Sequence, residues 1–560
     1  MKWKIVVMNA LMMVGLLTPL CLQAQSAYVS FDREYYHLLD RLEIRNGQMV
    51  PELSLNTKPL RRDRLVEFLD SVNVPTSSRV DAFNRQYLRQ DNWEFSQDST
   101  LSKKSLWKTI YQRPSDFYYF RNKDFDVHIN PVIYFRGGTE SAVEEMNFRN
   151  TRGIEIRGSI DRKVGFYTYL SSNEAIFPSW IEDYIDDHGA VPGQGFWKPY
   201  GDHGYSYFAA RGYLTFQVSK HIAAQVGHDR NFIGNGYRSM ILSDFSNPYM
   251  FLKLDVNIWK LQYTSIWAQM TADVFLNARN RPEDGRYPQK WFSLHRLSAN
   301  IGKRLNIGVF ESVMASQADW SYFNPVIFYR WAEHQLGTPD KVMLGTDFKW
   351  NMNRNMQWYG QFALDEFVFG EFFGIDGKNS KRNKHAIQLG YKYIDMFKVS
   401  NLDLQVEYNQ VRPYTFQEKF EHQSYTNYLT PITHPLGANF RELIAVLKYQ
   451  PLPKLSFDFT GVYHLYGEDP NEDTNRGGDI LKNRLEGNDD FGLYGHKIGQ
   501  GIKNELFMGT FTATYMLKHN LFVDLGHSYR RNKIEEAETT STQMTSVALR
   551  LNIARERYNY

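Results

Sequence analysis

Cysteine is almost absent from this chain. The one present is Cys21, inside an apolar stretch at 5–22 that follows the basic start MKWK and precedes the small-residue exit QAQ. These features read as a secretory leader over residues 1–25; bulky Leu20 before Cys21 argues against a lipoprotein. Without the leader there is no disulfide, no thiol nucleophile and no cysteine metal site. Net charge is also missing. Of 65 basic residues, Lys2 and Lys4 fall in the leader, leaving 63 against 62 acidic ones, so nothing points to nucleic acid. Beyond the leader no run of eighteen apolar residues occurs, which excludes a transmembrane helix. Aromatics, by contrast, are plentiful, with 36 Tyr and 38 Phe. For an exported, cysteine-free, tyrosine-rich chain the remaining membrane solution is a closed barrel of alternating strands. A large secreted β-rich enzyme is the competing reading.

Residues 28–112 carry helical periodicity. Tyr36, Leu38, Leu39 and Leu42 make one apolar face, Leu65, Phe68 and Leu69 a second, and Val80, Phe83 and Tyr87 a third. Charged residues fill the rest, so residues 26–112 are expected to form a small soluble helical domain, followed by a linker at 113–124. From Phe125 to Tyr560 the period becomes two. Phe125, Val127 and Ile129 alternate with Asp126, His128 and Asn130; Leu402, Leu404, Val406 and Tyr408 alternate with Asp403, Gln405 and Glu407. Short turns are expected at 161–163, 219–220, 259–260, 302–304, 353–355, 395–399, 451–454 and 518–520. Between them lie long connections at 137–149, 172–205, 228–249, 271–291, 316–340, 365–383, 412–439, 466–505 and 532–541. Long loops on one side and short turns on the other are the asymmetry of an outer-membrane barrel. The expected fold is therefore all-β, about 18 antiparallel strands behind a helical segment, with both chain ends periplasmic. The stretch 292–301 alternates poorly, and the terminal Tyr560 suits a last barrel strand.

Several stretches could carry chemistry. Gly234-Asn-Gly236 lacks the third glycine and following helix of a dinucleotide site. His228, Asp229 and Ser239 are triad residue types, though a hydrogen-bonded loop folded over or into the lumen explains them as well. The acidic run 468–479 has Asp473 where a calcium loop needs glycine, so a solvated loop is the better reading. Asp365, Glu366 and Glu442 are expected to pair with arginines such as Arg441 at the lumen rim. The loop 172–205 mixes Phe177, Trp180, Tyr184, Phe196, Trp197 and Tyr200 with Glu182, Asp183, Asp186 and Asp187. Flat aromatic faces stack on sugar C–H surfaces, and carboxylates accept hydroxyl hydrogen bonds. Trp180, Asp183, Tyr184, Trp197 and Tyr200 are the carbohydrate-binding candidates; an anchored loop or an interfacial girdle is the alternative. No catalytic residue, metal site or cofactor is expected.

Longer motifs carry a likeness. VPGQGFWK (191–198), GHDRNFIGNGYRSMILSDF (227–245) and YFNPVIFYRWAEHQLGTPDKVMLGTDFKW (322–350) resemble the Wzi-type capsule-assembly family, closest to its RemB-like branch, named for a gliding-motility protein. QFALDEF (361–367), VEYNQVRPYTF (406–416), HPLGANFRE (434–442) and YYHLLDRLEIRNG (35–47) continue the series. The resemblance implies an 18-stranded outer-membrane barrel with a periplasmic helical portion, acting as a non-enzymatic lectin for capsular polysaccharide, or in surface motility. It implies no residue-level sugar site. His228, Arg230, Arg238, Asp244, Glu366, Arg412 and Glu442, within the motifs, are expected to form a structural loop and lumen network. Expected partners are outer-membrane lipid and surface polysaccharide, with other outer-membrane or periplasmic proteins if the role is that of a scaffold. A passive pore is the third reading, opposed by loops rich in Trp and Phe.

Overall fold

The computed structural model describes the chain outside residues 1–25, 51–52, 77, 97–100, 102–109, 273–286, 327, 338–339, 367, 369–378 and 485–491. Eighteen long antiparallel strands, from Phe125–Glu140 to Thr540–Leu551, close into one barrel. The seam joins last strand to first, with Leu551 opposite Ile133 and Met544 opposite Glu140. The period-two pattern sorts the faces: Asp347, Lys349 and Asn351 are buried toward the lumen, while Leu344 and Trp350 are exposed on the outside. Turns at one end are tight. Asp161 and Arg162 both take positive φ, 52° and 54°, in the three-residue turn between Ile160 and Val164, where such a turn suits the strand twist.

Two connections expected to be long, 137–149 and 532–541, are instead hairpins with only residues 141–142 and 535–539 between their strands. Polar and glycine residues at these strand tops read as loop. The ladder nevertheless continues through Gly137 and Gly138, opposite Val547 and Ser546. The stretch read as a linker, 113–124, includes a short strand, Tyr118–Arg121, paired to the lower part of the first barrel strand.

Among the described residues three helices precede the barrel: α1 (Arg33–Asn46), α2 (Arg62–Ser71) and α3 (Arg79–Asp91). Asp32 caps α1 by accepting from the amides of Glu34 and Tyr35, and Gly47 ends it in the left-handed region, the usual chemistry of helix ends. Their apolar faces meet in a core of Tyr35, Leu39, Ile44, Leu65, Phe68 and Leu88. The charged face does not go to water. Lys349 donates to Glu43 at 2.7 Å, Lys392 to Asp40 at 2.6 Å and Lys448 to Glu34 at 2.6 Å, and all three lysines stand on the barrel wall. Asn84 reaches Gln450 and Tyr87 reaches Asn520 beside the tight turns. The helices thus plug the short-turn end of the lumen rather than standing free beside it.

The opposite end is filled from above. Residues 230–248 fold inward, and Met240, Ile241 and Leu242 join Tyr425 and Ile432 in an apolar core against Phe292, Leu294, Phe310 and Met314 of the wall. Plug and loop meet inside: Thr57–Lys58 pairs antiparallel with Phe232–Ile233. Two further helices belong to long loops, α4 (Ser179–His188) and α5 (Tyr329–Leu336). No helix among the described residues is long and apolar enough to cross a membrane.

The chain end departs from expectation. The last strand stops at Leu551, and residues 552–560 turn back into the lumen. Arg555 and Arg557 both reach Glu34 of the plug. Tyr558 lies against Phe177, and Tyr560 against Tyr184 and Phe245 of the long loops. Tyr560 therefore does not end a barrel strand. An extended run of nine residues spans about 30 Å at most, enough to pass from one end of the barrel toward the other.

Candidate functional site

The stretch around Gly234-Asn-Gly236 docks by hydrogen bonds to the wall. Glu407, buried on strand Leu402–Val411, accepts from the backbone amides of Tyr237 at 2.6 Å and Arg238 at 2.9 Å, and from the Tyr359 hydroxyl at 2.8 Å. A Cβ on Gly236 would stand 2.6 Å from the Glu407 carboxylate, so the close approach requires glycine there. Arg238 then reaches Glu442, which is fully buried and shared. It accepts from Arg238 Nε and Nη2 at 3.2 and 3.1 Å, from His434 and His464 at 2.8 Å each, and from Asn409 at 2.8 Å. Its expected partner Arg441 points to the opposite face, because neighbours on a strand alternate; the arginine that pairs comes from a loop some two hundred positions earlier. His434 has one tautomer in this setting. Its Nε2–H faces Glu442 and its Nδ1 accepts from the Leu436 amide at 3.2 Å. Burial pushes its pKa down to about 4.

The other members of the expected network divide. Arg230 donates to the Asp244 carbonyl at 2.8 Å, and the Asp244 carboxylate pairs with Arg33 of α1 at 3.3 Å. Glu366 pairs with Lys384 at 2.7 Å at the rim, and Asp365 with Lys341 at 2.8 Å. Arg412 holds the carbonyls of Asn383 and Ser380 and no carboxylate. His228 is not in the lumen network: it lies on the outward face of strand Ile222–Asp229 and touches the Ala210 carbonyl. Asp229, the next residue, faces inward, so these two and Ser239 do not assemble a triad. A cavity of about 350 Å³ remains inside the barrel between α1, the tail and this loop, lined by Arg33, Lys58, Arg211, Arg230 and Asp244 among others. Among the described residues no three His, Cys, Asp or Glu side chains gather as a metal site.

The aromatic–acidic loop lies at the long-loop end, and its members have different fates. Trp180, on α4, is 5% exposed; its indole donates to the Tyr558 carbonyl at 3.2 Å, so it anchors the tail. Tyr184 stacks on His188 at 3.9 Å and meets Tyr560 edge-on. Trp197 packs half-buried against Tyr205, 4.8 Å between rings, and Phe177 backs Tyr205 at 5.5 Å. Tyr200 is exposed beside Phe148 on the outer side of the wall. Of the five candidates, Asp183 alone is an exposed side chain on α4 itself. It shares that helix with Glu182, Asp186 and Asp187. Burial, reinforced by Asp186, Glu140 and Glu145, pushes the Glu182 carboxyl up to about 7, and one of its oxygens is buried without a partner. Glu140 caps the start of α4 by accepting from the Ser179 amide at 3.0 Å. Phe196, next to Trp197 in the chain, is exposed.

Sequence reasoning missed the tail, Glu407 and His464. Arg555-Glu-Arg557 after the last apolar alternation was the available sign that the chain leaves the wall. Glu407 and His464 hold the inward phase of their strands, but nothing local distinguishes a hub from any lumen residue.

No protein-family model matches this sequence, and neither does any curated protein. Solved structures do. Wzi of Escherichia coli, described as an outer membrane protein involved in group 1 capsule assembly and a carbohydrate-binding β-barrel, superposes with a TM-score of 0.56. Identity is 13%, over 95% of this chain and 100% of that one. OprD of Pseudomonas aeruginosa follows at TM-score 0.41 and 10% identity, covering 76% and 94% of the two chains, too low for any argument about fold or function. This chain therefore shares its fold with a carbohydrate-binding outer-membrane β-barrel.

Proposed function

We propose that this protein resides in the outer membrane and holds surface polysaccharide at its long-loop face, without catalysis and without conducting solute. The observation that carries the reading is the filled lumen. Helices close the barrel from one end, inward-folded loops from the other, and the tail occupies the space between. A wall built around such contents is not a channel, and the folded long-loop face is what remains for a ligand. On that face Asp183, Asp186, Glu182 and Phe196 with Trp197 offer carboxylates and flat rings of the kind that hold sugars. Trp180 and Tyr184 support the site from below. We assign the short-turn end, with the plug, to the periplasm, so the long loops face outward. The likeness of motifs to the Wzi-type family and its RemB-like branch supports a role in capsule attachment or assembly.

The test is polysaccharide retention. Cells carrying an in-frame deletion of the chain should shed polysaccharide they make in normal amount. Asp183→Asn combined with Phe196→Ala, both exposed, should reproduce part of the loss while the barrel still assembles. Full retention in the deletion strain would refute the anchoring role and move the protein to partnering in gliding, secretion or uptake.

A further inference from the structure

The lipid-facing surface of this barrel has a polar hole in it. On four adjacent strands, Leu261–Thr271, Gln289–Ile301, Leu305–Ala315 and Lys341–Asn351, inward residues at the level of the upper core are apolar: Ile266, Leu294 and Met314. The outward residues beside them are Ser265, Ser293, His295 and Glu311, with Ser265, His295 and Glu311 level across three strands. Immediately below, Leu297 and Val309 are exposed apolar side chains of an ordinary lipid belt, and Leu344, opposite Glu311 on the next strand, is exposed beside them. Strands rise about 3.3 Å per residue and tilt about 40°, so Glu311 stands roughly 15 Å above the lower end of its strand, within a belt about 25 Å tall. An outward carboxylate at that height would meet acyl chains, where a charge on the lipid face is destabilising in a depth-dependent way.

The loop 316–340 covers the hole by folding down over the outside of the wall. The Trp267 indole donates to the Tyr322 carbonyl at 2.9 Å, and the Tyr263 hydroxyl donates to the Pro325 carbonyl. Glu311 accepts from the amides of Tyr329 and Arg330 at 2.7 and 2.8 Å, the free donors at the start of α5. His295 faces Glu311 at 3.3 Å, and Tyr329 stacks on the His295 ring at 4.3 Å. Val313, Ala315, Tyr322, Ala332 and Val342 close the packing beneath. The loop then turns a second apolar surface away from the barrel: Trp320 is 81% exposed, Val326 85%, Phe328 74% and Trp331 57%. Arg330 and His334 are exposed among them.

We infer that residues 317–326 and 328–336 are a membrane-contacting flap, whose exposed face enters the lipid of the upper leaflet at the headgroup boundary. Three observations select lipid as the occupant. The flap lies on the outward face, and its rings continue the belt formed by Leu297, Val309 and Leu344. Tryptophans mixed with cationic side chains are also what a membrane–water boundary favours. The flap exchanges a polar patch for an apolar one at the belt's upper edge. It rests on the barrel spanning a membrane and is independent of any polysaccharide role.

The test places a nitroxide on the full chain in a Cys21→Ser background, inserted into phosphatidylcholine vesicles, at Val326→Cys, with Leu344→Cys as the lipid reference and Asp202→Cys as the water reference. Collision with oxygen relative to a water-soluble nickel complex should be several-fold greater at Val326 than at Asp202, and should approach without exceeding the value at Leu344. A ratio equal to that at Asp202 overturns the proposal. So does shielding from both reagents, which would mean a protein covers the flap. A second readout needs no label: Trp320→Ser with Trp331→Ser should lessen quenching of the tryptophan fluorescence by lipid brominated near the headgroup, and undiminished quenching also overturns it.

Discussion

Replacing Glu442 by glutamine tests whether the lumen network holds the inward loops. The substitution keeps the shape of the side chain and removes its charge. In the folded protein Glu442 receives five donors, from Arg238, His434, His464 and Asn409, and its side chain is fully buried. The amide keeps one acceptor and turns an NH₂ group toward donors, leaving the Arg238 guanidinium buried without its counter-ion. Breaking a buried pair in this way costs about 3–5 kcal/mol. Glu67→Gln is the control: its side chain is 48% exposed beside Arg64, and a pair so open to water is worth about 1 kcal/mol or less. Guanidinium unfolding of the reconstituted protein, followed by tryptophan fluorescence, measures both. Arg238→Met combined with Glu442→Gln should cost less than the two single losses added, by more than about 1 kcal/mol, since the residues share one interaction. A Glu442→Gln loss equal to that of Glu67→Gln would refute the assignment of Glu442 as the hub.

Two further outcomes follow from the same interior. Ending the chain after Leu551 removes Arg555 and Arg557 from Glu34, and Tyr558 and Tyr560 from the long loops; the full chain should show no steady single-channel current, and the shortened one transient openings. Equal silence from both would mean that the tail does not help close the lumen. Acid should weaken the fold through His434, whose folded pKa of about 4 lies below its ordinary 6.5. The unfolded chain then binds a proton that the folded one refuses, so stability is complete above pH 6.5 and is lost as pH falls toward 4, by up to about 3 kcal/mol. Unfolding midpoints at pH 7.5 and 4.5 measure this, and in His434→Gln the difference should shrink by that amount.

The wall was legible because alternation is local: each strand declares its two faces within ten residues. What filled the wall was not. The charged face of α1 reads as solvated, since its partners Lys392 and Lys448 lie 352 and 414 positions away. Trp180 and Tyr184 looked like ligand-binding aromatics for the same reason, because the tail that buries them is the far end of the chain. The stretch 292–301 looked irregular on account of its surroundings: Phe292 and Leu294 face an apolar core inside the lumen, while Ser293 and His295 face outward beneath residues of 316–340. Both departures from the barrel code come from a loop folding onto the wall, one inside and one outside. The acidic run 468–479 was expected as a solvated loop: Glu472 and Asp473 are exposed, but Asn475 is buried, and Asp469 pairs with Lys482 and accepts from the Arg476 amide.

The contact between Arg557 and Glu34 joins residues 523 positions apart, and its consequence concerns assembly order. Both partners lie within a wall sealed by pairing of the first and last strands. A finished cylinder would have to admit three helices and a charged tail through its openings, so the contents must gather before the seam zips. Long-range contacts of this kind form slowly, so closing the wall waits on the gathering of what it encloses.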